Sequence, residues 1–272
     1  MESQLQPMWQ PLGVGASILH DVAPECPLVM GFPQSGRGLP RDLVARMTDD
    51  ALALPDTCWH VDALWHGVAV PGAGWIMPTF SRLVIDLNRQ PEPAAIPIPN
   101  TTPIVAMETF GRKGVYLPGQ DPMPAEIAER IARYWLPFHA RMSALLAAAR
   151  ARAGHAVLLD AHSISPAETR FAGRTPPPVA IKTGGGACCT ASVSRAIDRL
   201  VARHPHLGID RDGRAKGGFI VHRHARVAAG ISAVQIEIRQ DLYMEPLRPD
   251  RPIRPSDALQ AFMRDAVACL TA

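Results

Sequence analysis

The chain has 272 residues, enough to bury one large core, and α/β folds of this length commonly form one domain. Its 28 Lys and Arg balance 25 Asp and Glu, and no basic stripe interleaved with aromatic residues is present, so nucleic acid is not a predicted partner. Five cysteines without a CxxC pair indicate a reducing compartment. No signal-like start or long apolar run is present, which predicts a cytoplasmic protein without membrane contact.

Taken in chain order, apolar patterns and Gly/Pro punctuation predict alternating strands and helices. The fold class expected is α/β, a single three-layer α/β/α domain over 1–272 with a mixed, mostly parallel central sheet. The predicted elements are a strand at 28–32, a helix at 125–134 that Pro137 kinks and 138–154 continues, a strand at 156–163, a helix at 189–204, and two strands at 219–227 and 231–238 that form a hairpin.

Three predicted strands carry polar stripes. The apolar run from Ala156 ends in Asp160, His162 and Ser163, and period two places Asp160 and His162 on the same side. The other two stripes are Arg82, Asp86 and Asn88 within 82–89, and Gln235, Glu237 and Arg239 within 234–239. Each stripe alone could equally belong to an ordinary strand that has one face in the core and one face in solvent. Three together predict a polar pocket built on a sheet, because ligands of α/β sheets gather outside strand carboxyl ends.

In these and several neighbouring blocks, the chain resembles the N-formylglutamate amidohydrolase (deformylase) family, within a broader set of zinc hydrolases with carboxypeptidase-like or phosphorylase/hydrolase-like folds. The resemblance runs from about Met30 to Met244 and rests on the order and spacing of several short blocks. These are Pro33-Gln34-Ser35-Gly36, 59–65, 82–89, 134–139, Asp160-Ala161-His162-Ser163, 216–220, Gln235-Ile236-Glu237 and Leu242-Tyr243-Met244.

The resemblance implies hydrolysis of the formamide bond of N-formyl-L-glutamate, or of a similar N-acyl amino acid, by zinc-activated water. His162 aligns with a family metal ligand and Glu237 with the general base. His224 is expected to stabilise the oxyanion or protonate the leaving amine. The residues expected to bind the small acidic substrate are Arg82, Asn88, Arg89, Arg239 and Ser163; for each arginine, a structural ion pair with Asp86 or Glu237 is the alternative.

The chain departs from the family pattern at two expected metal ligands. Family members usually read Pro-His-Ser-Gly where this chain has Gln34, and usually carry an acid where it has Cys58. The implied metal set is therefore His162, Cys58 and Gln34. Cysteine binds zinc well as a thiolate, whereas the glutamine amide oxygen is a weak ligand beside imidazole.

Three hypotheses follow from this departure. The first is an amidohydrolase with a rearranged zinc shell. The second is a metal-free, catalytically silent relative that binds a small acidic metabolite. The third is an enzyme that catalyses a different reaction on a small acidic metabolite without a metal, with Glu237 and His162 as the main catalytic residues. The sequence predicts no particular oligomeric state.

Overall fold

The computed structural model describes residues 8–13, 15–91, 102–167, 174–213, 215–245 and 248–272. In this part of the chain, seven strands form one mixed, mostly parallel sheet in the order β2-β5-β3-β6-β9-β7-β8. The strands are β1 (Gln10–Leu12), β2 (Leu19–Val22), β3 (Leu28–Gly31), β4 (Gly38–Pro40), β5 (Gly74–Pro78), β6 (Ala156–Ile164), β7 (Val179–Lys182), β8 (Ile209–Arg211), β9 (Ile231–Arg239), β10 (Met244–Glu245) and β11 (Arg248–Pro252).

The helices are α1 (Arg41–Val44), α2 (Asp49–Leu52), α3 (Val61–His66), α4 (Pro124–Arg130), α5 (Leu136–Ala153), α6 (Ala191–Arg203), α7 (Phe219–His224) and α8 (Asp257–Thr271). Helices α5 and α7 contact each other through His139 and His224, and His204, directly after α6, contacts Asp265 on α8. Helices pack on the sheet, with α5 against β3, β5 and β6 and with α7 against β6 and β9, as the predicted α/β class requires. Among the described residues, no helix is both long and apolar enough to cross a membrane.

The centre of the sheet explains the apolar run that ends at His162. β6 pairs in parallel with β3 along one edge and with β9 along the other, and its residues from Ala156 to His162 are buried on both faces. A strand covered on both faces reads as a near-continuous apolar run. The predicted strand at 156–163 is confirmed, as are those at 28–32 and 231–238.

The long helical region also follows the prediction. α4 passes through a π-helical turn at 131–135 into α5, and Pro137 lies at the start of α5. Proline has no N–H to donate to the preceding turn, and the wider π turn lies where the regular hydrogen-bond pattern is interrupted. Gly154 ends the helix with φ 81° and donates its N–H to the Arg150 carbonyl at 2.8 Å. The predicted stop at Gly154 is confirmed.

Two predicted strands are wrong. The segment 82–89 consists of turns, and every residue except Arg89 is buried, so its apolar and polar residues do not divide between two faces. The Asp86 N–H reaches the Ile104 carbonyl at 2.8 Å, and the Asn88 N–H reaches Asp86 Oδ1 at 2.9 Å. An aspartate that accepts from the backbone two residues on favours a turn over a strand.

The second wrong prediction is the hairpin of 219–227 with 231–238. Residues Phe219–His224 form α7, although Phe, Ile and Val favour strands. Side chains distant in sequence satisfy the free N–H groups at the start of α7: Gln235 Oε1 accepts from the Gly218 N–H at 2.7 Å, and Asn88 Oδ1 from the Ile220 N–H at 2.9 Å. Tertiary contacts thus override the local propensity.

Candidate active site

The three positions predicted to bind metal come together beyond the carboxyl ends of β3 and β6. Gln34 follows β3, Cys58 precedes α3 and His162 lies on β6, and all three side chains are buried. His162 Nδ1 lies 3.1 Å from Gln34 Oε1 and 3.8 Å from Cys58 Sγ. Cys58 Sγ lies 3.7 Å from the same Gln34 oxygen. The convergence implied by the family resemblance is therefore present in the structure.

The other nitrogen of His162 faces Asp160. His162 Nε2 lies 3.1 Å from Asp160 Oδ1, as expected for two residues on the same side of a strand. Burial by itself lowers the pKa of the His162 imidazole, but the Asp160 carboxylate outweighs it and raises the pKa to about 10. Asp160 is fully buried, and a buried carboxylate requires a compensating charge. The His162 imidazolium is the partner that supplies it.

Asp86 fixes the orientation of the Gln34 amide. Gln34 Nε2 donates to Asp86 Oδ1 at 2.9 Å, so the amide oxygen points to Cys58 and His162. Burial would raise the pKa of Asp86, but the Arg82 guanidinium, 2.5 Å away, and then Arg89 hold that pKa well below its usual range. An ionised Asp86 accepts hydrogen bonds only. It therefore determines which end of the Gln34 amide faces the site.

Asn88 connects His162 to α7. Its Nδ2 lies 3.3 Å from His162 Nε2, and its Oδ1 accepts from the first turn of α7. Gly218 packs directly on this amide, and a Cβ at Gly218 would lie 2.3 Å from Asn88 Nδ2. Asn88 is thus a buried connection between the site and a helix.

Glu237 lies beside His162 on the neighbouring strand. The two residues are register partners in the parallel pair of β6 and β9, so their side chains emerge next to each other. Glu237 Oε2 lies 2.5 Å from Lys182 Nζ, and Glu237 Oε1 accepts from Gln235 Nε2 at 2.9 Å. Lys182 ends β7 and is a site residue that the sequence reasoning missed. A polar residue directly after the apolar Val179–Ile181 run was the signal available for it.

The predicted arginine clamps all pair with carboxylates of the protein. Arg82 contacts Asp86 and lies 3.4 Å from Asp56. Arg89 lies 4.0 Å from Asp86 and donates to Thr102 Oγ1. Arg239 makes two hydrogen bonds to Asp241, at 2.7 and 3.1 Å. The alternative of a structural ion pair with Asp86 is therefore correct for Arg82 and for Arg89. Arg239 pairs with Asp241 and not with Glu237, which pairs with Lys182.

Ser163 borders the cluster on its half-buried side. Its backbone N–H donates to Cys58 Sγ at 3.2 Å, and its hydroxyl accepts from Gln240 Nε2 at 3.2 Å. Gln240 also donates to the Thr57 carbonyl at 3.1 Å. These bonds hold the end of β6 against the turn that carries Cys58.

His224 packs between helices and is not among the residues that contact His162. Its Nε2 lies 2.8 Å from His139 Nδ1 on α5, and its Nδ1 lies 3.4 Å from Ser143 Oγ. Burial lowers the pKa of His224 well below its usual value. Because 219–224 is a helix, His222 and His224 do not share one face, as a strand would have required. Among the described residues, the hydrogen-bond partners of the His224 ring are His139 and Ser143, so its role as acid or oxyanion donor stays a prediction.

A cavity of about 250 Å³ lies on the loop that follows β3. Its lining includes Ser35 and Trp59, the chain neighbours of Gln34 and Cys58. Arg37 also lines it, with its guanidinium 5.6 Å from the Trp59 ring centroid. The sequence reasoning missed Arg37, although it directly follows the Pro33-Gln34-Ser35-Gly36 block.

The side chains of the cluster do not fit a catalytic zinc. Such an ion takes three protein ligands from thiolate, imidazole and carboxylate groups. Within the described residues, no three His, Cys, Asp or Glu side chains are grouped so that they could hold a metal. Gln34 contributes a neutral amide oxygen, and His162 Nδ1, whose lone pair a metal would need, lies at hydrogen-bond distance from that oxygen.

The fold and the site define an α/β protein whose polar groups gather outside the carboxyl ends of central strands, where this class binds small ligands. A sequence profile of the N-formylglutamate amidohydrolase family matches residues 26–244. The N-formylglutamate deformylases of Pseudomonas aeruginosa and Pseudomonas putida are 31% and 30% identical to the chain over 224 residues, which is 82% of this chain and 84% of each relative. The chain therefore belongs to the N-formylglutamate amidohydrolase family.

Solved structures agree on the fold. A crystal structure of N-formylglutamate amidohydrolase from Ralstonia eutropha JMP134 has a TM-score of 0.74 at 25% identity, over 94% of this chain and 96% of that one. The Agrobacterium tumefaciens gene product Atu2144 has a TM-score of 0.68 at 20% identity over the same shares of the two chains. The second similarity supports the fold alone.

Proposed function

We propose that the chain is an amidohydrolase that cleaves the formamide bond of N-formyl-L-glutamate, or of a similar N-acyl amino acid, to formate and the amino acid. The observation that carries the proposal is the convergence of Gln34, Cys58 and His162 at the end of β6, with Glu237 beside them. The relatives named as deformylases support the substrate class, because their similarity spans most of both chains.

Glu237 is the proposed general base. It takes a proton from the attacking water, and Lys182 and Gln235 hold its carboxylate in one position. A base that is positioned in advance contributes about 10²- to 10⁴-fold to the rate. The proposal makes no use of His224, for the packing reason given above.

An acidic substrate requires a cation, and Arg37 is the arginine proposed to supply it. In the described part of the chain, its guanidinium contacts the face of Trp59, whereas Arg82 and Arg239 contact carboxylates of the protein. A guanidinium matches a carboxylate with two parallel hydrogen bonds. We assign the substrate carboxylate to the Arg37 side of the cavity.

The test measures formate released from N-formyl-L-glutamate by the unaltered protein and by Glu237→Gln. The variant removes a base and little volume, so kcat should fall at least about 100-fold while KM changes little. Glu245→Gln, a half-exposed glutamate paired with Arg251, is the matched control and should keep full turnover.

Formate released equally fast by Glu237→Gln would remove Glu237 from the mechanism. Binding of N-formyl-L-glutamate in a calorimeter without formate release would contradict the proposal and support the catalytically silent relative instead.

A further inference from the structure

The side chains of Cys58, His162 and Asp160 form a row across the site, with His162 in the middle. Cys58 Sγ is 3.8 Å from His162 Nδ1, and His162 Nε2 is 3.1 Å from Asp160 Oδ1. A thiol next to an imidazole whose other nitrogen meets a carboxylate is the geometry of a nucleophile, its proton carrier and an orienting acid. Unrelated folds reach this arrangement independently, so it is recognised by geometry.

Two further contacts support this geometry. Both oxygens of Asp160 are buried and have no hydrogen-bond partner among the described residues, so the 3.1 Å ion-pair contact with His162 Nε2 is the one that compensates the charge of Asp160. On the other side of the cluster, the Ser163 backbone N–H donates to Cys58 Sγ at 3.2 Å. An N–H aimed at sulfur stabilises negative charge on it.

The residues at positions 34 and 58 explain how the mechanism of this chain can differ from the zinc mechanism that the family resemblance implies. Gln34 and Cys58 replace two expected metal ligands together, and the remaining donor set does not fit zinc. A thiol at position 58 supplies what a metal-bound water would supply elsewhere, namely a nucleophile held beside His162.

We propose that Cys58 is a covalent nucleophile that accepts the formyl group of the substrate, with His162 as proton carrier and Asp160 as its positioning residue. The inference rests on the proposed function, because the formyl donor is the same N-formyl amino acid.

The reaction starts with the thiol proton on His162. The Cys58 sulfur attacks the formyl carbon, and the carbonyl π electrons move to oxygen. The intermediate then collapses: the carbon–nitrogen bond breaks, and the leaving nitrogen takes the proton from His162. This step leaves the free amino acid and an S-formyl thioester on Cys58.

Water completes the cycle. Its oxygen attacks the thioester carbon while Glu237 accepts its proton, and the carbon–sulfur bond breaks to release formic acid and the Cys58 thiolate. Return of the proton from Glu237 to His162 restores the starting state. One formamide and one water are consumed, and no oxidant or reductant is required.

The experiment detects the thioester directly. Protein is mixed with N-formyl-L-glutamate or with p-nitrophenyl formate, quenched in acid, and analysed by intact and peptide mass spectrometry. The expected result is a mass increase of one formyl group on the peptide containing Cys58, absent from Cys58→Ala. Turnover of N-formyl-L-glutamate by Cys58→Ala should fall by about 10³-fold or more.

Cys188→Ser is the matched control. Cys188 is also buried and lies 3.6 Å from His222 Nδ1, yet burial raises the pKa of its thiol to about 11. The S-formyl adduct and turnover should persist in Cys188→Ser. Asp160→Asn should slow formation of the adduct, because a misoriented His162 protonates the leaving nitrogen poorly, and should change the loss of the adduct much less, because Glu237 takes the proton of the attacking water.

The outcomes separate the two proposals. Formate release with no adduct, and with turnover retained in Cys58→Ala, overturns the nucleophile and leaves the amidohydrolase intact. Labelling of Cys58 by p-nitrophenyl formate without turnover of any N-formyl or N-acetyl amino acid supports the nucleophile and overturns the proposed substrate. Absence of labelling by both probes overturns the covalent step.

Discussion

Asp86 shows how a single buried side chain organises the site. It accepts hydrogen bonds from Gln34, Arg82 and the backbone of Asn88, and each of these partners then fixes something else. Gln34 turns its oxygen to Cys58 and His162, and Asn88 caps α7. Removing one partner of a buried ion pair leaves the other charge uncompensated, so Asp86 matters to both stability and geometry.

Asp86→Asn should therefore lower the free energy of unfolding by about 3 kcal/mol at pH 7. Because the pKa of folded Asp86 lies well below the usual 3.8, its contribution is fully present above pH 4 and is lost as the pH falls further. Urea unfolding of both proteins at pH 7 and pH 3 measures the difference, which should shrink at pH 3.

The control for this comparison is Asp241→Asn, which removes the more exposed partner of Arg239. Such pairs contribute about 0–1 kcal/mol. If the two variants lost equal stability at pH 7, the assignment of Asp86 as the buried organiser would be wrong.

Among single residues, local rules predicted the Asp160–His162 pair, because side chains on a strand alternate with period two. The convergence of Gln34 and Cys58 on His162 came only from the family resemblance, since these residues are far apart in sequence. Arg82 and Arg239 pair with carboxylates four and two residues further along the chain, whereas the position of Lys182 beside Glu237 depends on the pairing of β7 with β9, which no local pattern encodes.

At the scale of elements, the regular strands and long helices were predictable and the short irregular segments were not. β3 is an apolar run, β6 is an apolar run that ends in polar residues, and β9 alternates apolar with polar residues, while α5 ends at a glycine that is typical of a helix stop. The segment 82–89 and α7 also contain apolar residues that favour strands, but hydrogen bonds to residues distant in sequence determine their conformation. The Ile104 carbonyl accepts a hydrogen bond from the backbone of 82–89, and the Gln235 and Asn88 side chains accept from the first turn of α7.

The contact between α5 and α7 makes a prediction for acid stability. Burial lowers the pKa of His139 to about 3, against 6.5 for a free histidine. The unfolded chain therefore binds more protons between these values, and stability falls as the pH drops below about 6.5. We expect His139 alone to account for on the order of 2 kcal/mol of stability lost between pH 7 and pH 5.

Chemical unfolding at a series of pH values checks this expectation, with His139→Gln beside the unaltered protein. The loss of stability between pH 7 and pH 5 should be smaller in His139→Gln. His206→Gln, at an exposed histidine, should behave like the unaltered protein. Equal slopes in all three proteins would mean that His139 is not held neutral by its burial.

At the scale of the whole molecule, the chain retains the fold of its family, and we propose that the chemistry at its centre differs. The chain follows a solved family structure over 94% of its length, and the sheet still brings positions 34, 58 and 162 together. The family resemblance implies a different type of donor atom at positions 34 and 58. A scaffold fixes where side chains meet, and the side chains determine the chemistry.

Zinc content tests this account most directly, measured by mass spectrometry on protein purified without chelator, equilibrated with zinc and then dialysed. The account predicts substoichiometric zinc in the unaltered protein, unchanged by His162→Ala, because the Gln34–Cys58–His162 set lacks a third strong ligand. The Gln34→His, Cys58→Asp double variant restores imidazole and carboxylate ligands and should retain about one equivalent. One tightly held equivalent in the unaltered protein, lost on His162→Ala, would contradict the account.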